Sequence, residues 1–67
     1  MEETRIQVDF GSEVYGSFVL NKKRGQKIYK NQKIAERYIK EWLAKKGNNM
    51  CRCYDFAKKE WFTWNQI

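Results

Sequence analysis

The first third of the chain alternates between apolar and polar residues, which is the pattern of strands that bury one face. Residues 4–10 place apolar side chains at every second position, and residues 14–20 largely repeat that spacing, as expected for half-buried strands. A loop of residues 11–13 would put both apolar rows on one face, with Ile6 opposite Phe18. The pattern therefore predicts a hairpin with a three-residue turn.

A short third strand is predicted at residues 26–30. The preceding residues 21–25 contain Gly25 and read as a turn, since glycine accepts a positive φ there. A five-residue loop sets Ile28 opposite Phe18, so we expect the third strand to pair with the second and to add Ile28 to the core face.

The most regular segment is the helix predicted at residues 32–46, for which Asn31 is a suitable N-cap. Acidic residues precede basic ones by four positions at Glu36 and Lys40 and again at Glu41 and Lys45, an arrangement that stabilises helices. The apolar residues recur in the stripe of a core-facing helix: Ile34, Ala35, Tyr38, Ile39, Trp42 and Leu43.

Two further strands, residues 50–56 and 61–67, are predicted to form a second hairpin around residues 57–60, with Phe56 opposite Trp61. Both faces of this hairpin are apolar. Either the hairpin packs between the helix and the other strands, or it exposes aromatic side chains. One face holds Cys51, Cys53, Phe62 and Trp64, and the other holds Met50, Tyr54, Phe56, Trp61 and Ile67 beside Arg52.

These elements predict one small α+β domain over residues 1–67, in the order β-β-β-α-β-β, with antiparallel strands packed on one amphipathic helix. An oligonucleotide-binding-like barrel is the alternative architecture. A chain of 67 residues has a thin core, but eleven aromatic residues argue against disorder because each one buries a large apolar area.

Positive charge is concentrated in residues 22–46. This segment holds ten of the fourteen lysines and arginines and two acids, a net +8, whereas residues 1–21 carry −3 and residues 47–67 carry +1. A localised cationic surface produces a field that scattered charges do not, and such a field attracts anionic partners.

The composition weakens the case for several function classes. The chain has no histidine, and Cys51 and Cys53 lack further ligands at zinc spacing. No nucleophile–base pair or glycine-rich phosphate loop is visible. We therefore expect a non-enzymatic protein without a metal or cofactor. An acidic start without an apolar segment behind it, and the absence of a long apolar run, indicate neither a signal peptide nor a membrane span, so the expected location is the cytoplasm.

The leading functional hypothesis is binding of DNA or RNA. Basic side chains attract phosphates through counterion release with little demand for exact geometry; the alternative is a lysine-rich edge that only keeps the protein soluble. The predicted phosphate contacts are Lys22, Lys23, Arg24, Lys27, Lys30 and Lys33, extended by Arg37 and Lys40, and the predicted base contacts are Arg52, Tyr54 and Trp61.

A second hypothesis is a small protein-binding modulator of the phage or mobile-element type, acting on a host protein through the basic and aromatic surface. Aromatic residues and arginine dominate the binding energy of protein interfaces, and the cationic segment suits an acidic protein surface. Exposed, contiguous aromatic residues with the lysines facing elsewhere would favour this hypothesis.

Two resemblances of pattern bear on the fold. Residues 14–44, a basic hairpin followed by an amphipathic helix, resemble the three-stranded-sheet-plus-helix modules that some integrases and plant transcription factors use on DNA. The five-strand order with a helix after the third strand resembles the oligonucleotide-binding barrel, although the helix is longer and the first strand shorter than such a barrel implies. Neither resemblance includes a diagnostic motif, so both bear on architecture more than on function.

Overall fold

The first strand is the centre of the sheet in the computed structural model, which describes residues 3–45 and 47–65. Over these residues the chain forms five antiparallel strands and one helix in the predicted order, an α+β fold. The elements are β1 (Ile6–Val14), β2 (Ser17–Leu20), β3 (Gln26–Tyr29), α1 (Gln32–Leu43), β4 (Met50–Asp55) and β5 (Glu60–Asn65).

Strands β2 and β3 lie end to end along the same edge of β1. The second half of β1 pairs with β2, from Gly11 opposite Leu20 onward, and its first half pairs with β3, from Ile6 opposite Tyr29 onward. Strand β4 occupies the other edge of β1, and β5 pairs with β4. No pairing in the described part of the chain joins β5 to β2 or β3. The sheet is therefore open, and it does not close into the alternative barrel.

The first hairpin turns later than predicted. Val14 pairs with Ser17, so the turn has two residues, Tyr15 and Gly16, with φ of 51° and 79°. Two-residue turns with positive φ match the right-handed twist of paired strands. The predicted three-residue loop is therefore wrong, and Phe18 lies opposite Glu13 instead of Ile6.

The third strand pairs with β1, so the prediction that it pairs with β2 is wrong. Tyr29, opposite Ile6, faces the helix and stacks on Tyr38 with ring centroids 4.9 Å apart. Ile28, predicted to face the core, lies on the other face of the sheet and is 56% exposed.

Residues 21–25 form a bulge between β2 and β3, here called the basic bulge, and its ends are fastened to Phe10. The amide of Phe10 donates to the carbonyl of Gly25 at 3.0 Å, and the amide of Asn21 donates to the carbonyl of Phe10 at 2.8 Å. The side-chain oxygen of Asn21 accepts from the amides of Lys23 and Arg24 at 2.9 and 2.7 Å. The backbone of Phe10 in β1 thus anchors both ends of the basic bulge.

Helix α1 begins as predicted and ends earlier. Asn31 is the N-cap, and its side-chain oxygen accepts from the amide of Ile34 at 3.0 Å. The helix ends at Leu43, and the last predicted helical residue, Lys46, lies outside the described residues. The predicted pair of Glu36 and Lys40 forms at 3.0 Å.

The core lies between α1 and one face of the sheet. Trp42 enters it and donates its indole N–H to the carbonyl of Gly11 at 3.3 Å, which satisfies a polar group that burial would otherwise penalise. The buried apolar residues are Ile6, Val8 and Phe10 from β1, Cys51 and Cys53 from β4, and Ala35, Ile39, Trp42 and Leu43 from α1.

The second hairpin extends the sheet, so it is not packed between the helix and the other strands. Its pairing places Asp55 opposite Glu60 and Tyr54 opposite Trp61, two positions away from the predicted pairing of Phe56 with Trp61. Because faces alternate along a strand, this shift keeps the predicted faces, with both cysteines beneath the helix. Ile67 lies outside the described residues.

Gly11 marks a close contact between β1 and β2, and it provides a test of their pairing. A Cβ added there would collide with the carbonyl oxygen of Val19 and lie 2.8 Å from the ring of Phe18. We expect Gly11→Ala to lower the free energy of unfolding by about 1–3 kcal/mol, as overpacking does. Urea denaturation measures this loss. Glu13→Ala, at an exposed position of the same strand, is the control and should change the free energy of unfolding little. Equal stability of both variants would contradict the observed register.

Candidate binding surfaces

The outward stripe of α1 is cationic. Lys33, Arg37 and Lys40 follow one another at helical spacing and are exposed, on the side opposite the buried Ala35 and Ile39. These three residues were predicted from sequence as phosphate contacts, and the helix brings them together in one row.

Further predicted contacts lie where β3 meets the helix. Lys27 pairs with Val8, so its side chain is on the helix side of the sheet, and it is exposed. Lys30 is exposed between β3 and α1, where its carbonyl accepts a hydrogen bond from Thr4 at 2.9 Å. We define the cationic side of the protein as Lys27, Lys30, Lys33, Arg37 and Lys40, with Lys22 and Lys23 of the basic bulge at its edge.

Arg24 differs from the other predicted contacts because its charge is already used inside the protein. Its guanidinium lies 4.9 Å from the ring centroid of Phe10 and 3.4 Å from a carboxylate oxygen of Glu41. Its side chain is only 24% exposed. Arg24 therefore joins the basic bulge to the helix. Glu41 pairs with Arg24 and not with Lys45, its predicted partner.

Lys40 also has an acidic partner, but a weak one. The pair with Glu36 is solvent-exposed, with 69% of the lysine side chain accessible, and exposed pairs contribute little and are screened by salt. Among the described residues, the other six predicted basic contacts on this side of the sheet and in the bulge have no ion pair: Lys22, Lys23, Lys27, Lys30, Lys33 and Arg37.

The other face of the sheet, here called the open face, is not covered by the helix. Strand pairing places the predicted base contacts Arg52, Tyr54 and Trp61 on it. The eleven predicted contacts are thus divided between two opposite sides of the protein. The strand residues that share the open face include Gln7, Asp9, Glu13, Phe18, Leu20, Ile28, Met50, Arg52, Tyr54, Trp61 and Thr63.

Arg52 is held between two aromatic rings on the open face. Its guanidinium carbon lies 5.3 Å from the ring centroid of Phe18 on β2 and 5.2 Å from that of Trp61 on β5. Both distances are within the range of cation–π attraction. Trp61 remains 51% exposed, so the row presents an aromatic surface to solvent.

The aromatic contacts continue toward the end of the sheet near the N-terminus. Tyr54 contacts Trp61 and Phe56 with ring centroids 5.0 and 5.1 Å apart, and the guanidinium of Arg5 lies 5.0 Å from the ring of Phe56. We call the whole series the aromatic–arginine row: Arg5, Phe56, Tyr54, Trp61, Arg52 and Phe18.

Three members of this row were not predicted as site residues. Phe18 was assigned to the core because the hairpin register was wrong; the signal for the correct register was Tyr15-Gly16, since glycine suits a two-residue turn. Arg5 and Phe56 lie just outside β1 and β4, and no sequence spacing brings them together.

The open face carries little net charge. Asp9 is 6% exposed and accepts a hydrogen bond from the side-chain amide of Gln7 at 3.0 Å. Arg52, on β4, lies directly opposite Asp9, and Glu13 is exposed further along β1. One cation and two acids on the strands of this face contrast with the run of cations on the helix side.

Within residues 3–45 and 47–65, no helix is long and apolar enough to cross a bilayer. The same residues hold no group of three or more histidine, cysteine or acidic side chains arranged to bind a metal ion.

Comparison with known proteins adds no further information. The function is therefore inferred from the surfaces of this chain, above all from the separation of its cationic side from its open face. No protein-family model, no curated protein and no solved structure matches the chain.

Proposed function

We propose that this protein is a non-enzymatic nucleic-acid-binding protein that contacts the phosphate backbone of DNA or RNA through its cationic side. The observation that carries the proposal is the placement of exposed cations along one side of α1 and its junction with β3, where they have no ion pair with any described residue. Lys27, Lys30, Lys33 and Arg37 are the main contacts, and Lys22 and Lys23 extend the contact at the basic bulge.

Charge separation supports this proposal. The chain has a net charge of +6, while the strands of the open face carry only Arg52 against Asp9 and Glu13. The eight predicted cations of the bulge, β3 and α1 outnumber the acids of the helix side, Glu36, Glu41, Asp55 and Glu60, so the excess of positive charge lies there. A polyanion that approaches this side releases its condensed counterions, which favours binding at low ionic strength.

The proposed contact is with the backbone and not with base edges. Arg52, Tyr54 and Trp61 lie across the sheet from the cationic side, so a duplex bound along α1 does not reach them. Aromatic residues on a sheet can stack on unpaired bases, but few cations border the open face to hold the phosphates of a single strand there. We therefore assign backbone binding to the helix side and no base-specific contact.

The test is a fluorescence-anisotropy titration of a short duplex and a single strand against salt. The six cations that form no ion pair with the described residues give at most a slope of about −5 in log K against log salt, so affinity for duplex DNA should fall by up to about 10³-fold between 50 and 200 mM salt. Binding that is absent at low salt, or that does not depend on salt, would contradict the proposal.

A charge-reversal pair locates the site. Lys33→Glu with Arg37→Glu should weaken binding by about 100-fold or more, because two phosphate contacts become repulsive. Lys58→Glu with Lys59→Glu makes the same change of net charge in the exposed β4–β5 turn and should weaken binding only several-fold. Equal losses in the two variants would show that the cationic side is not the site.

The open face supports a second candidate function, the binding of another protein. Its aromatic residues are contiguous, with Trp61 exposed and Phe18, Tyr54 and Phe56 half-buried. Most of the lysines lie elsewhere, and this arrangement favours protein binding over nucleic-acid binding. A tagged pull-down with and without nuclease separates the two functions. A single stoichiometric protein that survives nuclease treatment would favour protein binding, and loss of all partners after nuclease would favour nucleic acid.

A further inference from the structure

The open face has the composition of a protein interface. A sheet normally buries its apolar faces against other elements, but α1 covers only one face here. Trp61, Ile28 and Leu20 are 51%, 56% and 40% exposed on the other, and Phe18 and Met50 lie among them. Interfaces are enriched in aromatic residues, methionine and arginine and depleted in other charged residues at their centre, which describes this face.

We propose that the open face binds the open face of a second copy of this chain, forming a two-fold symmetric dimer. This proposal goes beyond the binding of nucleic acid and does not depend on it. Two copies with a net charge of +6 each repel one another on most approaches. They repel least when the nearly neutral open faces meet and the two cationic sides point away from each other.

The charged side chains of the open face are also complementary to those of a second open face. Glu13 is exposed, has no ion pair among the described residues, and shares this face with Arg52. In a two-fold dimer every contact occurs twice, so a contact between Glu13 of one copy and Arg52 of the other would form two pairs of opposite charge. A strongly acidic or strongly basic partner would lack this charge complementarity, because the open face carries both positive and negative side chains.

The size of the face implies a reversible dimer. Four strand positions spaced about 4.8 Å apart, each about six residues long, give a flat area of roughly 400 Å² per copy. This is at the low end for specific interfaces, where association is weak or transient. We therefore expect a dissociation constant in the micromolar range.

Sedimentation velocity on nucleic-acid-free protein, from about 5 to about 500 μM, tests the proposal across a micromolar dissociation constant. The mass should rise from that of one chain, 8.2 kDa, toward twice that value. Amide chemical shifts that change on dilution should belong to open-face residues. A monomer at every concentration would overturn the proposal, whether or not the face binds a different protein.

Substitutions on each side of the molecule separate this proposal from the nucleic-acid one. Glu13→Lys replaces the exposed acid of the open face with a cation, so it brings like charges together beside Arg52 of the other copy and should raise the dissociation constant at least tenfold. Trp61→Ala should do the same without a change of charge. Glu60→Lys, at an exposed position on the helix side of the sheet, makes the same charge change as Glu13→Lys and should leave the dimer intact.

Arg37→Glu is the complementary variant: it should weaken nucleic-acid binding without affecting dimerisation of the chain. Circular dichroism confirms that each variant is folded. Unchanged dimerisation in both Glu13→Lys and Trp61→Ala would overturn the proposal even if nucleic-acid binding were established.

Discussion

Phe10→Ala should lower the free energy of unfolding by about 3–5 kcal/mol, the loss typical of removing a fully buried aromatic ring. The ring of Phe10 is completely buried and meets the edges of Tyr29 and Trp42, at centroid distances of 6.4 and 5.6 Å. It also lies beneath the guanidinium of Arg24. In a domain of this size such a loss is a large share of the total stability.

Urea denaturation followed by tryptophan fluorescence measures this loss. The substitution keeps the backbone hydrogen bonds of residue 10 with the basic bulge, so the effect reports the side chain. Val19→Ala, on an exposed side chain of β2, is the control and should stay within about 0.5 kcal/mol of wild type. A loss below about 1 kcal/mol for Phe10→Ala would mean that the ring is not the centre of the core.

The helix and the element order were predictable because their signals are local. Asn31 caps the helix through a hydrogen bond to a residue three positions away, and the apolar stripe needs only the helical period. The end of the helix was less predictable, because Lys45 suits a helix C-terminus by charge but lies beyond the last helical residue, Leu43.

Strand pairing was less predictable because it depends on distant residues. The prediction kept Phe18 on the same face as Ile6, on the assumption that apolar rows share one core. The fold instead leaves one sheet face apolar and uncovered. Tyr15 also made the turn difficult to predict, because a bulky residue rarely adopts a positive φ. In the structure its φ is 51°.

The candidate site was predictable in charge and not in shape. The concentration of cations in residues 22–46 is visible in the sequence, and the helix period groups Lys33 with Arg37. The role of Arg24 is not visible, because Glu41 is 17 positions away and Phe10 approaches only after β2 and β3 align on β1. The division of the predicted contacts between two sides follows from the same alignment.

The buried thiols of Cys51 and Cys53 should react slowly with alkylating reagents. Burial raises the pKa of both Cys51 and Cys53 from 9.0 to about 12, since the thiolate loses its hydration beneath the helix. At pH 8 the thiolate fraction is then about 10³-fold lower than in an unfolded chain. Iodoacetamide should therefore modify the native protein more slowly than the protein in urea, by up to about 10³-fold, with transient opening of the fold setting the limit. Similar rates in the two states would contradict the burial of both thiols.

The same shift makes stability depend on pH in alkaline solution. Above pH 9 the unfolded thiols lose their protons while the folded ones keep theirs up to about pH 12, so the unfolded state binds fewer protons and stability falls as pH rises. Each thiol contributes up to about 1.4 kcal/mol per pH unit in this window. Cys53→Ala removes one contribution, so its free energy of unfolding should fall less steeply than that of wild type between pH 9 and pH 11. Because the substitution leaves all other ionisable residues in place, the difference between the two slopes isolates the thiol, and identical slopes would contradict the raised pKa of Cys53.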